Sequence, residues 1–188
     1  MLLPLGLIGI ILCSFLTLRV SGKRMMGIGR WSVSDVQPCA NDAEMPWMMR
    51  VRRHELNRTY DAYDADVHTL ADFDDSVGIR ISTCMMMDGV CENFQTLNHG
   101  CARILIYFAA RDNVWRALEA FGIDPPDFPI PQGEYHAENF VLDLSHLNDY
   151  SLYGNFSSEV SLFKEEQDVA CLKVAIRFEP LEDASPPE

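Results

Sequence analysis

The sequence predicts a small, disulfide-bonded all-β sandwich or cup with one short helix, and three observations predict it. Several segments alternate apolar and polar residues with the two-residue period of a strand that buries one face. Turn signals separate these segments at short intervals, the rhythm of a sandwich rather than of alternating strands and helices. Cysteines recur behind a leader that directs the chain to an oxidising route, where disulfides persist.

The leader comes first. Leu2 to Val20 is almost wholly apolar with no charge before Arg19, and Val20, Ser21 and Gly22 then supply small residues ahead of Lys23 and Arg24. That order reads as a signal peptide over residues 1–22, cut after Gly22. An uncleaved anchor is the alternative, because the run approaches the roughly 20 residues that span a bilayer and its start lacks Lys or Arg. The next longest apolar stretch, Ile104 to Ala110, is too short to span and has the length of a strand. Residues 23–178 then form one domain, and the acidic, proline-containing tail 179–188 has too little apolar surface to fold alone.

Within the domain, Met48 to Leu56 is the first strand candidate. Val77, Ile79 and Ile81 alternate with Gly78, Arg80 and Ser82 as the next. Arg103 to Phe108 and Phe140 to Leu144 have strand length. Asn113 to Phe121 is the one helix: Val114, Leu118 and Phe121 recur at helical spacing, Asp112 caps the start and Gly122 ends it. The prolines from Asp124 to Gly133 make an extended loop. Phe156, Ser158, Val160 and Leu162 share one side of a strand, and Leu172, Val174, Ile176 and Phe178 share one side of the next. These two read as a closing antiparallel pair.

Charge narrows the partners. The chain carries a net charge of -13, and cleavage after Gly22 removes only Arg19 among charged residues. Such a surface repels phosphate backbones and excludes nucleic acid as a partner. It also opposes steady docking on anionic membranes at neutral pH, an opposition that weakens as carboxylates protonate in an acidic compartment. Asn57-Arg58-Thr59 and Asn155-Phe156-Ser157 are acceptor sites for N-glycosylation in a chain that enters the secretory pathway.

No chemistry-bearing motif is present: no Gly-x-Ser-x-Gly elbow, no His-Glu-x-x-His helix and no Gly-rich phosphate loop. His136, His146 and Asp143 lie near one another in sequence, but proximity alone does not define a site. Asp61, Asp64, Asp66, Asp72, Asp74 and Asp75 lack the spacing of a calcium loop and read as a solvated acidic loop. The expectation is a non-enzymatic protein with no metal and no cofactor.

Loss of Cys13 with the leader leaves Cys39, Cys84, Cys91, Cys101 and Cys171, an odd count whose pairing spacing alone does not settle. Around them run Cys84-Met85-Met86-Met87-Asp88-Gly89-Val90-Cys91, then Cys101, then Phe121-Gly122-Ile123 leading into Phe128-Pro129-Ile130-Pro131-Gln132-Gly133-Glu134-Tyr135. Gly154-Asn155-Phe156 opens a strand, and Cys171-Leu172-Lys173-Val174-Ala175-Ile176 closes the domain. In order and spacing this set resembles the ganglioside-activator branch of the ML lipid-recognition family, best from Ser76 to Phe178. Insect chemosensory members of the same superfamily are similar in size.

The resemblance implies an immunoglobulin-like β-sandwich, a cup enclosing a lipid cavity. It implies bridges Cys84–Cys91 and Cys39–Cys171, and it leaves Cys101 as a free thiol where the family's partner position holds Pro125, Pro126 and Phe128. It also implies the work: binding and transfer of a glycolipid, whose headgroup stays outside for a soluble glycosidase, with transient membrane contact and a secreted or lysosomal location. A secreted carrier of a hydrophobic signal molecule is the alternative. Two groups suit a lipid mouth: Met85, Met86 and Met87 in the disulfide-pinned loop, with flexible polarizable side chains, and Trp115, Phe121, Ile123, Phe128 and Ile130 around the helix and proline loop. Filling of the sandwich core is the competing role for each of these residues.

Overall fold

The computed structural model describes residues 25–56, 61–109 and 111–181. The leader 1–22, the acceptor Asn57 and the tail from residue 182 onward lie outside the described residues. The described residues form nine strands: β1 Met26–Pro38, β2 Met48–Glu55, β3 Asp61–Thr69, β4 Gly78–Met87, β5 Val90–His99, β6 Gly133–Phe140, β7 Tyr150–Leu152, β8 Gly154–Lys164 and β9 Gln167–Pro180. Helices α1 Ala102–Ala109 and α2 Arg111–Ala120 stand between β5 and β6.

The strands make two sheets, one of order β5-β4-β8-β9-β1-β7 and one of order β2-β3-β6, with every pairing antiparallel. The result is a mostly β, two-sheet architecture of the sandwich kind. The closing pair read from alternation is present: Phe156 lies opposite Ile176, Ser158 opposite Val174 and Val160 opposite Leu172. Opposed residues in an antiparallel pair share a face. Across the large sheet, therefore, Ile81, Val160 and Leu172 line up on one face, as do Met85, Phe156 and Ile176. In the small sheet Met49, Val67 and Tyr135 line up likewise, as do Val51, Ala65 and Ala137.

These two faces look at each other. Met49 from the small sheet and Ile81 and Val160 from the large one pack on a single buried cluster containing Trp47, Val77, Ile79, Leu162 and Ala170. The cluster closes one end of the sandwich. Backbone bonds from Trp47 N–H to Val169 O at 2.9 Å and from Ala102 N–H to Val77 O at 2.7 Å tie the connections to it. A bridge between Cys39 and Cys171 joins the end of β1 to β9 at the same end. Gly78 lies opposite Phe163, whose ring occupies the space a Cβ would need, so the closed end depends on a residue without a side chain there.

Several sequence expectations change. Arg103 to Phe108 is not a strand but lies in helix α1: Ala102, Leu105 and Ile106 turn inward at helical spacing while Ile104 and Tyr107 are exposed. A short apolar run is ambiguous between the two structures, and the inward spacing decides it. Helical structure among the described residues thus begins at Ala102, ahead of Asn113. Phe140 to Leu144 is mostly irregular, because β6 precedes it and ends at Phe140. Met85 to Met87 belong to a strand end rather than a loop, and the turn is Asp88-Gly89, whose φ values of 51° and 82° suit a tight hairpin. The acidic segment is partly strand, with Asp61, Asp64 and Asp66 on β3. Glu179 and Pro180, assigned to the tail, pair with Arg30 and Gly29, so the ordered domain extends past residue 178.

Candidate functional site

The end of the sandwich away from the buried cluster is built differently. Met85, Val174 and Ile176 on the large sheet remain partly exposed, as do Val51 and Ala65 on the facing sheet. Side chains between two closed layers interdigitate at crystal-like density and lose contact with solvent. These inward-facing apolar groups are partly exposed around Phe156 and Phe178, which are 2 and 1 % exposed. The outward faces are polar, with Ser82, Glu159 and Lys173 in line across the large sheet. The apolar side is therefore the inner one.

A groove of about 590 Å³ opens at this end, against Trp31, Val33 and Tyr63 and beneath the segment 141–149 that crosses from β6 to β7. That volume falls within the range of small-molecule sites. Leu142, Leu144 and Leu147 line it from the crossing segment, while Asp61, Asp149 and Glu179 bring carboxylates to it. Trp31 also packs on Phe156 and Phe178, with ring centroids 5.6 and 4.7 Å apart, so the groove wall continues into the aromatic layer of the large sheet. Burial, with the Asp61 carboxylate second, raises the Tyr63 phenol above its ordinary value and keeps it neutral.

The crossing segment is anchored on helix α2. Buried Asn113 donates to Asp143 O at 2.6 Å and accepts from Asp143 N–H at 2.9 Å, and Arg116 donates to Val141 O at 2.7 Å. From the other side, Trp31 Nε1 donates to Asn148 O at 2.8 Å. Two Ser145 hydrogen bonds hold the Asp143 carboxylate below its usual range. The sequence reading named Asn113 only as the start of a helix. Its partners are backbone groups 30 residues away, which no local pattern reveals.

The residues expected at a lipid mouth fall at two places. Met85, Met86 and Met87 stand at the open end of β4, where Cys84–Cys91 bridges the hairpin with Cα atoms 5.3 Å apart. Met85 is partly buried beside Gly154, and Met86, Met87 and Val90 are 40, 38 and 61 % exposed. Phe94, missed in the sequence, sits on the neighbouring strand with its ring 5.2 Å from Phe156.

Trp115, Phe128 and Ile130 lie instead on the helix side. Phe128 stacks edgewise between Phe73 at 5.2 Å and Trp115 at 6.4 Å, and Phe73 contacts buried Trp47 at 6.0 Å. Ile130 is buried and exchanges backbone bonds with Phe73, which makes it part of the closed end. Phe121 meets Tyr135 at 6.0 Å, and Ile123 is partly exposed at the end of α2. The methionines and the proline-loop aromatics therefore do not share one opening.

Cys101 is free and partly exposed, with its Sγ 3.8 Å from an Asp75 oxygen. Asn155 is exposed on the outer side of β8, where Arg177 Nε donates to its Oδ1 at 2.8 Å. His136 bridges Asp66 at 2.7 Å and Glu138 at 3.1 Å on the outer side of the small sheet. Among the described residues, the one close group of three potential metal donors is Cys39, Glu159 and Cys171, and both cysteines are committed to the disulfide. No helix among these residues is long and apolar enough to cross a membrane. No protein-family model matches the chain, and no curated protein matches it significantly.

Proposed function

We propose that this protein is a non-enzymatic lipid-binding and transfer protein, of the sphingolipid-activator type, which takes acyl chains between its two sheets and presents a glycolipid headgroup to a soluble hydrolase. The observation that carries this reading is the partial exposure of Ile81, Val160, Met85 and Ile176 on the apolar inner face around buried Phe156. Each methylene moved from water into such a space is worth about 0.8 kcal/mol, so a chain of about 16 carbons offers on the order of 12 kcal/mol before ordering costs.

The arrangement of the open end supports the same reading. Met86, Met87 and Val90 form an apolar tip at the β4–β5 side of the large sheet, with β8 and β9 between it and the groove, and a covalent bridge fixes their spacing. The tip is suited to brief contact with a bilayer while the partly exposed interior receives a chain. The resemblance to lipid-recognition proteins, and the leader and sequons that fit a secreted or lysosomal route, point in the same direction.

The test is transfer of a fluorescent glycolipid between vesicles at pH 5 and pH 7, together with native mass spectrometry of protein purified from a secreting cell. Transfer at either pH and a co-purified lipid mass are expected. Absence of both would falsify the reading.

A further inference from the structure

Two sheets present four lateral edges, and three of them are shielded. Helix α2 packs along β6, and β1 lies against β2. Strand β7 is blunted by its length of only three residues. The fourth edge is β5, ten residues long, exposed at every position and paired only with β4 among the described residues.

Exposed edges in soluble proteins are usually blunted by lysines, prolines or shortness, because their free N–H and C=O groups template another strand. Strand β5 has none of these, and its one bulge, opposite Thr83 and Cys84, leaves Gln95 to His99 in regular pairing. It contains no Lys, Arg or Pro, and its Val90, Phe94 and Leu97 are 61, 45 and 38 % exposed. The Asp88-Gly89 turn and the Cys84–Cys91 bridge hold it in register with β4, so the edge is preformed.

We propose that β5 is a self-association edge, at which two copies of this chain pair β5 to β5 in antiparallel fashion and join their large sheets into one. Charge selects a second copy as the occupant. The chain carries -13, so two copies repel wherever carboxylates gather, as at the groove with Asp61, Asp143, Asp149 and Glu179. Strand β5 bears a single carboxylate, Glu92, in ten residues, and contact there brings few like charges together. A basic partner is drawn to the groove carboxylates instead. Pairing about a two-fold axis satisfies the free backbone groups of both copies with the same strand.

The contact is modest. Ten residues at about 3.3 Å each extend about 33 Å, and one strand pair with Phe94 and Leu97 beside it sits at or below the low end of specific interfaces. A reversible dimer of roughly micromolar strength is the consequence.

Sedimentation velocity on the secreted, glycosylated protein, from about 1 to about 200 µM, tests this. A monomer–dimer equilibrium is expected, strengthened by added salt that screens the acidic repulsion, with amide exchange along β5 slowing as dimer forms. Leu97→Lys or, independently, Thr96→Lys weakens dimerisation at least tenfold while the near-ultraviolet circular dichroism stays that of wild type. A monomer at the highest concentration, association weakened by salt, or a dimer indifferent to a folded lysine variant overturns the proposal.

Discussion

Asn113 and Asp143 exchange two hydrogen bonds, the Asn113 amide donating to the Asp143 carbonyl at 2.6 Å and the Asp143 N–H donating back at 2.9 Å. One buried side chain thus satisfies both backbone groups of a residue in the groove-covering segment. Asn113→Ala leaves them without partners and costs about 1–3 kcal/mol. Urea denaturation measures the loss, and hydrogen exchange localises it to residues 141–149. Unchanged exchange there contradicts the anchoring role.

The interior distinguishes a cup from a filled core through one enlarged residue. Val174 lies on the inner face and is partly exposed. On the proposed lipid-binding reading Val174→Trp takes up ligand space, so glycolipid transfer is expected to fall while the thermal midpoint holds. In a dry, filled core the same substitution costs about 1–3 kcal/mol through overpacking. Calorimetry and the transfer assay on one preparation separate the two.

At the tip, Met86→Asp with Met87→Asp leaves stability within about 0.5 kcal/mol, since both side chains are surface groups. Transfer from vesicles is expected to fall about tenfold, the factor that about 1.4 kcal/mol of lost apolar insertion represents. Equal transfer rates for variant and wild type place the membrane contact elsewhere.

The disulfides differ in reach. Cys39–Cys171 encloses a sequence separation of 132 and Cys84–Cys91 one of 7. On loop entropy their removal costs up to about 5 and about 2.5 kcal/mol. Paired serine substitutions should therefore lower the denaturation midpoint further for the long bridge, and the opposite order rejects this account.

His136 gives the small sheet a pH dependence. Hydrogen bonds to Glu138 first, then Asp66, raise its pKa above the ordinary histidine value. The imidazolium links β6 to β3, so the folded state binds the proton more tightly than the unfolded chain. Its stabilisation is complete below an unfolded pKa of about 6.5 and is lost as pH rises through the higher folded value. His136→Asn accordingly lowers stability at pH 5 and changes little at pH 9. An equal effect at both values removes the linkage.

Legibility in the sequence tracked burial. Strands β4, β8 and β9 bury one face, and their alternation was plain from Ile79, Val160 and Val174. Strand β5 buries neither face, and a bulge opposite Thr83 and Cys84 breaks its period, so nothing in Val90 to His99 alternates. The Asp88-Gly89 pair was the signal that a hairpin stood there. On β3 the outward Asp64 and Asp66 face His54 and His136, and acids read along the chain as loop become a strand only once those partners are known. The groove was hidden for a related reason: Trp31, Tyr63 and Leu144 come from three distant segments. Only the methionines of the open end stood out locally.

The covalent tie between Cys39 and Cys171 sits beside the packed cluster, whereas the opposite end is joined by hydrogen bonds such as that from Trp31 to Asn148. The two layers are therefore bolted at one end and latched at the other, like the arms of a spring clip. Loss of the latch leaves the bolt in place, so any loosening at the groove end is expected to spare Trp47, Val77 and Ala170.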